Sequence, residues 1–207
     1  MSITLGIDFD NTIAGYDHIF HAAAVQRGWL PAEPFLRKRA VRDRIRAGTL
    51  GDIGWQELQG EVYGRRMAEA RPLPGCVDFL YECRRKRIDV VVVSHKTVRA
   101  ARDPTNTDLR AAALDWMENQ GLFDLHRSPL TLEKVYFENT RVEKIARIAQ
   151  VGCTHFVDDL PEIFADGKFP PHTVKYLIGD SDPDGATVGH GTIRVADWRD
   201  VEDHLFG

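Results

Sequence analysis

The chain is expected to fold as an α/β protein, a doubly wound, Rossmann-like parallel sheet carrying a small α-helical cap insertion. Three features predict it. Short, fully apolar runs recur along the chain, helix-periodic segments separate them, and one long strand-free stretch follows the first run. Apolar runs of this kind mark strands buried on both faces, as in parallel sheets, and strand–helix–strand order implies right-handed crossovers.

The first strand is Ile3-Thr4-Leu5-Gly6-Ile7, followed at once by Asp8-Phe9-Asp10-Asn11-Thr12. Residues 16–70 hold no convincing strand, only helical patterns at Asp17–Arg27, Glu33–Ala47 and Trp55–Glu69, broken by Gly28–Pro31 and Gly48–Asp52. A structureless loop of that length inside a compact domain is unusual, so a helical cap is the better reading. The expected division is a core of residues 1–15 and 71–207 and a cap of residues 16–70. In the core, a helix over Cys76–Lys86 leads to the strand Ile88–Val93, and a helix over Leu109–Gln120 follows. Val135-Tyr136-Phe137 has strand character, and a helix over Val142–Gln150 is stopped by Gly152. Strands at Thr154–Val157, Val174–Ile178 and near Thr192–Val195 complete the sheet.

Three strand ends present polar groups: Asp8 and Asp10 after the first strand, Ser94 after the valine run, and Asp158-Asp159 after His155-Phe156-Val157. In open α/β sheets ligands bind beyond the carboxyl ends of the strands. The i, i+2 spacing of Asp8 and Asp10 can send both carboxylates to one side. Four carboxylates converging in a partly dry site repel each other by several kcal/mol, which calls for a divalent cation. An all-oxygen ligand set points to Mg²⁺. Taken singly, each motif also has a plain structural reading. A lone DxD is often a turn or cap, and Ser94 or Asp158-Asp159 can cap the helix that follows.

In this order and context the motifs DxDxT, Ser, Lys and paired acids resemble those of the haloacid dehalogenase-like superfamily of phosphohydrolases, over roughly residues 1–15 and 71–180. Pro72-Leu73-Pro74-Gly75 is similar to that family's entry into its second strand. The resemblance implies that Asp8 is a nucleophile forming an aspartyl-phosphate, and that Asp10 is first a general acid and then a base. It implies Mg²⁺ held by Asp8, the main-chain carbonyl of Asp10, and Asp159, with Asp158 ligating directly or through water. Ser94 would hydrogen-bond the transferring phosphoryl group, and a lysine would offset the charge of Asp8 and the phosphate. Lys144, in a first helical turn, is the choice for that lysine, with Lys134 and Arg141 as alternatives. Thr12, His95 and Lys96 are substrate-binding candidates, the last two facing the phosphate or the cap. Asp10 favours phosphate esters over carbon–halogen bonds, because attack on carbon needs no acid two residues after the nucleophile.

The expected activity is therefore hydrolysis of a small phosphorylated metabolite. Narrower alternatives are a 5'-nucleotidase, a deoxynucleotidase, a sugar phosphatase or a phosphomutase. The alternative from another class is a phosphate-binding regulatory protein that has lost turnover, against which the intact Asp8, Asp10, Ser94 and Asp159 set speaks. The 207 residues suffice for one sizeable core plus a small lobe. A net charge of -4 gives no reason to expect a nucleic-acid polymer, and no apolar run is long enough for a membrane span. Cys76, Cys83 and Cys153 are odd in number and widely spaced, as expected of reduced thiols in a cytoplasmic protein without a signal peptide. No motif sets an oligomeric state. Asp180–Gly185 reads as a solvated turn, since Gly191 stands where a calcium loop needs glutamate. Trp55 and Tyr63 read as core, and Arg37–Arg39 and Arg65-Arg66 as solvated faces.

Overall fold

The computed structural model describes residues 2–179 and 188–207, and the acidic segment Asp180–Gly185 lies outside the described residues. In chain order the elements are β1 (Thr4–Ile7), β2 (Ala14–Gly15), α1 (Asp17–Gln26), α2 (Lys38–Ala47), α3 (Gly51–Tyr63) and β3 (Arg71–Pro72). They continue with α4 (Cys76–Arg85), β4 (Asp89–His95), α5 (Leu109–Asn119), β5 (Val135–Glu138) and α6 (Arg141–Val151). Last come β6 (His155–Asp158), α7 (Pro161–Phe164), β7 (Val174–Ile178), β8 (Thr192–Val195) and α8 (Trp198–Phe206).

Six parallel strands form one sheet in the order β5-β4-β1-β6-β7-β8. The order runs outward one way from β1 and then the other, so the topological switch lies at β1, beside β4 and β6. Val90, Val92 and Val93 are fully buried and Val91 nearly so, as strands covered on both faces require. On one face Phe156 packs with Val91, Val93, Ile145, Ile148, Phe164 and Leu177. Elsewhere in the same unit Phe79 lies 4.8 Å from Trp198, whose Nε1 donates to the Thr12 carbonyl. All three cysteines are free and buried, and burial pushes the Cys83 and Cys153 thiols up to about 12.

Gly6 is where this packing is least forgiving. A Cβ added there would lie 2.7 Å from Phe156 Cε2 and 2.8 Å from Cys153 Sγ. Gly6→Ala is expected to lower the unfolding free energy by about 2 kcal/mol, because the ring is fully buried and has nowhere to move. Urea unfolding measures it, and an unchanged midpoint would show that β1 and β6 tolerate separation.

The chain divides into two compact units, Met1–Ala14 with Pro72–Lys96 and Met117–Gly207, and Gly15–Arg71 with Thr97–Trp116. The expectation of a helical segment at residues 16–70 left out the second stretch, residues 97–116. Contacts within the unit explain its place: Trp116 Nε1 donates to the Ala70 carbonyl at 3.0 Å, and Leu109 N donates to the Val98 carbonyl. At Gly60 of α3 a Cβ would meet Ala100 and Asp103 at 3.3 and 3.1 Å, so the 97–108 segment lies directly on the helix backbone.

Two helices differ from expectation at their ends. The helix expected from Glu33 begins at Lys38, since the residue before Pro34 disfavours the helical region. The helix expected over Trp55–Glu69 runs Gly51–Tyr63 and gives way to a 3₁₀ turn over Met67–Glu69. Trp55 stacks on Phe20 at 4.9 Å, and Tyr63 meets Tyr16 edge-on at 5.0 Å, which makes both part of this unit's aromatic core. Arg65 is exposed, as a solvated face requires, whereas Arg66 is largely covered. Arg65 pairs with Glu61 at 2.8 Å, Arg66 pairs with Glu69, and the Arg27 Nε donates to Glu61 at 2.9 Å. Arg27, Glu61 and Arg65 help line a cavity of about 560 Å³ within the same unit.

Candidate active site

Sheet register builds the site. Ile7 is paired with Val157, so Asp8 and Asp158 leave the sheet edge beside each other, and Asp8 N donates to the Val157 carbonyl at 2.9 Å. Ile7 is also paired with Val92, which brings Ser94 of β4 to the same edge, where it is 1% exposed. β4 runs on through Ser94 to His95, so the serine sits on the strand rather than after it. Carboxylate oxygens of Asp8, Asp158 and Asp159 lie within 4.8 Å of one another.

Lys144 stands between two of these acids, its Nζ 2.6 Å from Asp8 Oδ1 and 2.6 Å from Asp158 Oδ2. Its position follows from how α6 starts. Thr140 Oγ1 accepts from Glu143 N, and the Glu143 carboxylate accepts from Asn139 N and Thr140 N, a capping box that pins the first turn. The two alternatives for this cation fall elsewhere. Lys134 pairs with Asp89, at the opposite end of β4 from Ser94, and Arg141 lies 3.8 Å from Asp166.

Lys96 belongs to a second ion pair. Its Nζ lies 2.9 Å from both oxygens of Asp10, and its side chain is 2% exposed. Its ammonium, expected to face the phosphate or the cap, contacts Asp10 at the site. His95 is exposed, with Nε2 donating to the Asn139 carbonyl at 2.9 Å. Thr12 is fully buried, its carbonyl taken by Trp198 and its hydroxyl without a hydrogen-bond partner among the described residues. Asp158 Oδ1 accepts from Leu160 N, a local turn that leads into Pro161 at the start of α7.

The charges now add up differently from four bare carboxylates. Asp8, Asp10, Asp158 and Asp159 face two buried ammonium groups, leaving an excess of two negative charges, the charge that a divalent cation carries. Burial holds the Asp158 carboxyl up at about 7, with Lys144 pulling it down and Asp8 pushing it up. Burial disfavours the Lys144 ammonium, but Asp158 and Asp8 outweigh it and move its pKa above the ordinary lysine value. An oxygen-only donor set with a net deficit of positive charge fits Mg²⁺, which binds through one or two carboxylates.

A parallel sheet with paired carboxylates at its switch point defines a doubly wound α/β protein whose Asp8, Asp158 and Asp159 could hold a cation. No family model and no curated protein matches the sequence. Solved structures do match. A haloacid dehalogenase-like family hydrolase from Streptococcus pneumoniae superposes with a TM-score of 0.61 at 11% identity, over 99% of this chain and 98% of that one. A putative hydrolase of the same kind from Bacillus subtilis, bound to magnesium, gives 0.59 at 13%, over 100% and 99%. One from Deinococcus radiodurans with bound phosphate and sodium gives 0.57 at 12%, over 99% and 95%. An L-2-haloacid dehalogenase is also similar, at 0.58 and 15% over the full length of both chains. The chain has the haloacid dehalogenase-like fold.

Among the described residues no helix is long and apolar enough to cross a membrane.

Proposed function

We propose that the chain is a Mg²⁺-dependent phosphohydrolase that cleaves a small phosphorylated metabolite through an aspartyl-phosphate on Asp8. The observation that carries this reading is the division of the carboxylates. Asp8 lies with Asp158 and Asp159 in a cation-sized cluster, while Asp10 is held apart on its own lysine. One acid is thus available as nucleophile and the other for proton transfer. The magnesium bound in one similar structure and the phosphate bound in another support such a site.

In the proposed reaction an Asp8 carboxylate oxygen attacks phosphorus, the bond from phosphorus to the leaving oxygen breaks, and Asp10 gives that oxygen its proton. Asp10 then takes a proton from water as the water oxygen attacks phosphorus. The bond to Asp8 breaks, inorganic phosphate leaves, and both acids return to their starting states. Lys144 offsets charge on Asp8 throughout, and Ser94 offers a hydroxyl to the phosphoryl oxygens at the same sheet edge. Mg²⁺ on Asp8, Asp158 and Asp159, when bound, would supply electrostatic stabilisation of the phosphoryl oxygens.

Phosphate release from a panel of phosphorylated metabolites with Mg²⁺, using Asp8→Asn protein as the blank, tests the reading and picks out the substrate among nucleotides and sugar phosphates. Halide release from a 2-haloacid tests the competing activity that one structural neighbour suggests. Asp10→Asn is expected to cost about a hundredfold in turnover of an ester with a poor leaving group, and least with the most acidic one. A loss independent of the leaving group would remove Asp10 from proton transfer.

A further inference from the structure

We infer that Lys96 is the positioning residue of Asp10, a second buried lysine that orients the proton-transferring carboxylate rather than binding phosphate. The inference rests on the phosphohydrolase reading. Its geometric basis is the bidentate contact, with Nζ 2.9 Å from Oδ1 and 2.9 Å from Oδ2 of Asp10. An ammonium group buried to this degree, with 2% of its side chain exposed, is unfavourable without a charged partner, so the pair is held in place by its own desolvation.

Both ends of the clamp are anchored. Lys96 N donates to the Glu138 carbonyl at 2.9 Å, continuing the β4–β5 ladder, which already pairs His95 with Glu138, one residue past the strand. The Phe9 ring lies 5.2 Å below the ammonium, is itself fully buried, and meets Phe137 of β5 edge-on at 5.8 Å. The stem and head of Lys96 therefore have little freedom. Asp10 needs such help, because it sits where the chain has left β1, next to Asn11 at φ 61, in a turn closed by Asn11 N on the Ala14 carbonyl. A carboxylate on a turn retains rotamers that a strand would remove, and a misplaced proton donor loses most of its effect. Lys144 is already shared between Asp8 and Asp158, so each of the two lysines serves a different chemical role.

The test compares wild type with Lys96→Met, Asp10→Asn and the double variant, all with Mg²⁺, on p-nitrophenyl phosphate and on phenyl phosphate, whose leaving group is far more basic. Lys96→Met is expected to lose about tenfold or more on phenyl phosphate and markedly less on p-nitrophenyl phosphate. The double variant is expected to be no more than about twofold worse than Asp10→Asn alone, since the clamp has nothing left to position. Equal losses on the two esters, or losses that multiply in the double variant, would overturn the assignment and return Lys96 to a phosphate-binding or purely structural role. If Lys96→Met does not fold, Lys96→Gln, whose neutral amide is one atom shorter and loses the bidentate ammonium contact to Asp10, is held to the same two criteria. Phosphate release no higher than the Asp8→Asn blank in wild type would overturn the phosphohydrolase reading and this inference with it. Release that depends on Asp8 but shows a uniform Lys96 effect overturns this inference alone.

Discussion

Replacing Asp8 with Asn is expected to abolish phosphate release, by at least about a thousandfold, while leaving the fold intact. The loss follows from the role: an amide oxygen cannot form the aspartyl-phosphate, and the remaining groups offer no second nucleophile at that position. The survival of the fold follows from the charge balance. Lys144 contacts Asp8 Oδ1 and Asp158 Oδ2 at the same distance, so removing the Asp8 charge leaves a neutral Lys144–Asp158 pair in place of a triad with one negative charge too many. In metal-free buffer Asp8→Asn should therefore unfold at the same temperature as wild type or higher. Added Mg²⁺ should stabilise it less than wild type, because one oxygen ligand has lost its charge. Measured together, phosphate release and thermal unfolding separate the two roles. Residual turnover in a clean preparation would exclude Asp8 as the nucleophile, and a collapsed melting temperature would mean that the triad is held by more than these charges.

The strands were legible because burial on both faces leaves an unmistakable trace, the continuous apolar run, and the buried valines of β4 show the clearest case. The edge strand β5 was less so, since Val135–Glu138 is only half-buried and Glu138 ends it. The carboxylates at the strand ends could be read because sheet topology converts position in sequence into position in space. Once β1 and β6 are neighbours, Asp8 and Asp158 must meet at the edge. What topology does not convert is side-chain pairing across long separations. Lys96 follows directly after β4 and reads equally well as a phosphate ligand, and only its contact with Asp10, 86 residues away, distinguishes the two. The choice among Lys144, Lys134 and Arg141 was open for the same reason. The structure pairs Lys134 with Asp89 at the opposite end of β4 from Ser94, and places Lys144, in the turn opened by the capping box, against Asp8 and Asp158. The placement of residues 97–116 was not legible at all, because an amphipathic helix carries the same periodicity whichever unit it packs in.

Lys144→Met is expected to have the largest effect on stability. The substitution keeps an unbranched side chain of similar length in a site that is 1% exposed, but it removes the positive charge between Asp8 and Asp158. Breaking a buried ion pair by deleting one partner leaves an uncompensated charge and costs about 3 kcal/mol. The loss must depend on pH in a definite direction. Burial already raises the Asp158 carboxyl from 3.8 to about 7 against the downward pull of Lys144, and without that pull it goes higher still. A carboxyl whose folded pKa exceeds its unfolded one binds its proton more readily in the folded state, so it destabilises as pH rises through that window and recovers as pH falls. The destabilisation of Lys144→Met relative to wild type should thus be larger at pH 8 than at pH 5, read from urea unfolding in metal-free buffer. Mg²⁺ at pH 8 should restore part of the difference, since a divalent cation on Asp8, Asp158 and Asp159 supplies the missing charge. Turnover should stay low even then, because a cation held by the carboxylates does not replace an ammonium directed at Asp8 Oδ1. A variant as stable as wild type at pH 8 without metal would mean that the carboxylates are protonated or hydrated in the folded state, and that Lys144 is not what holds them together.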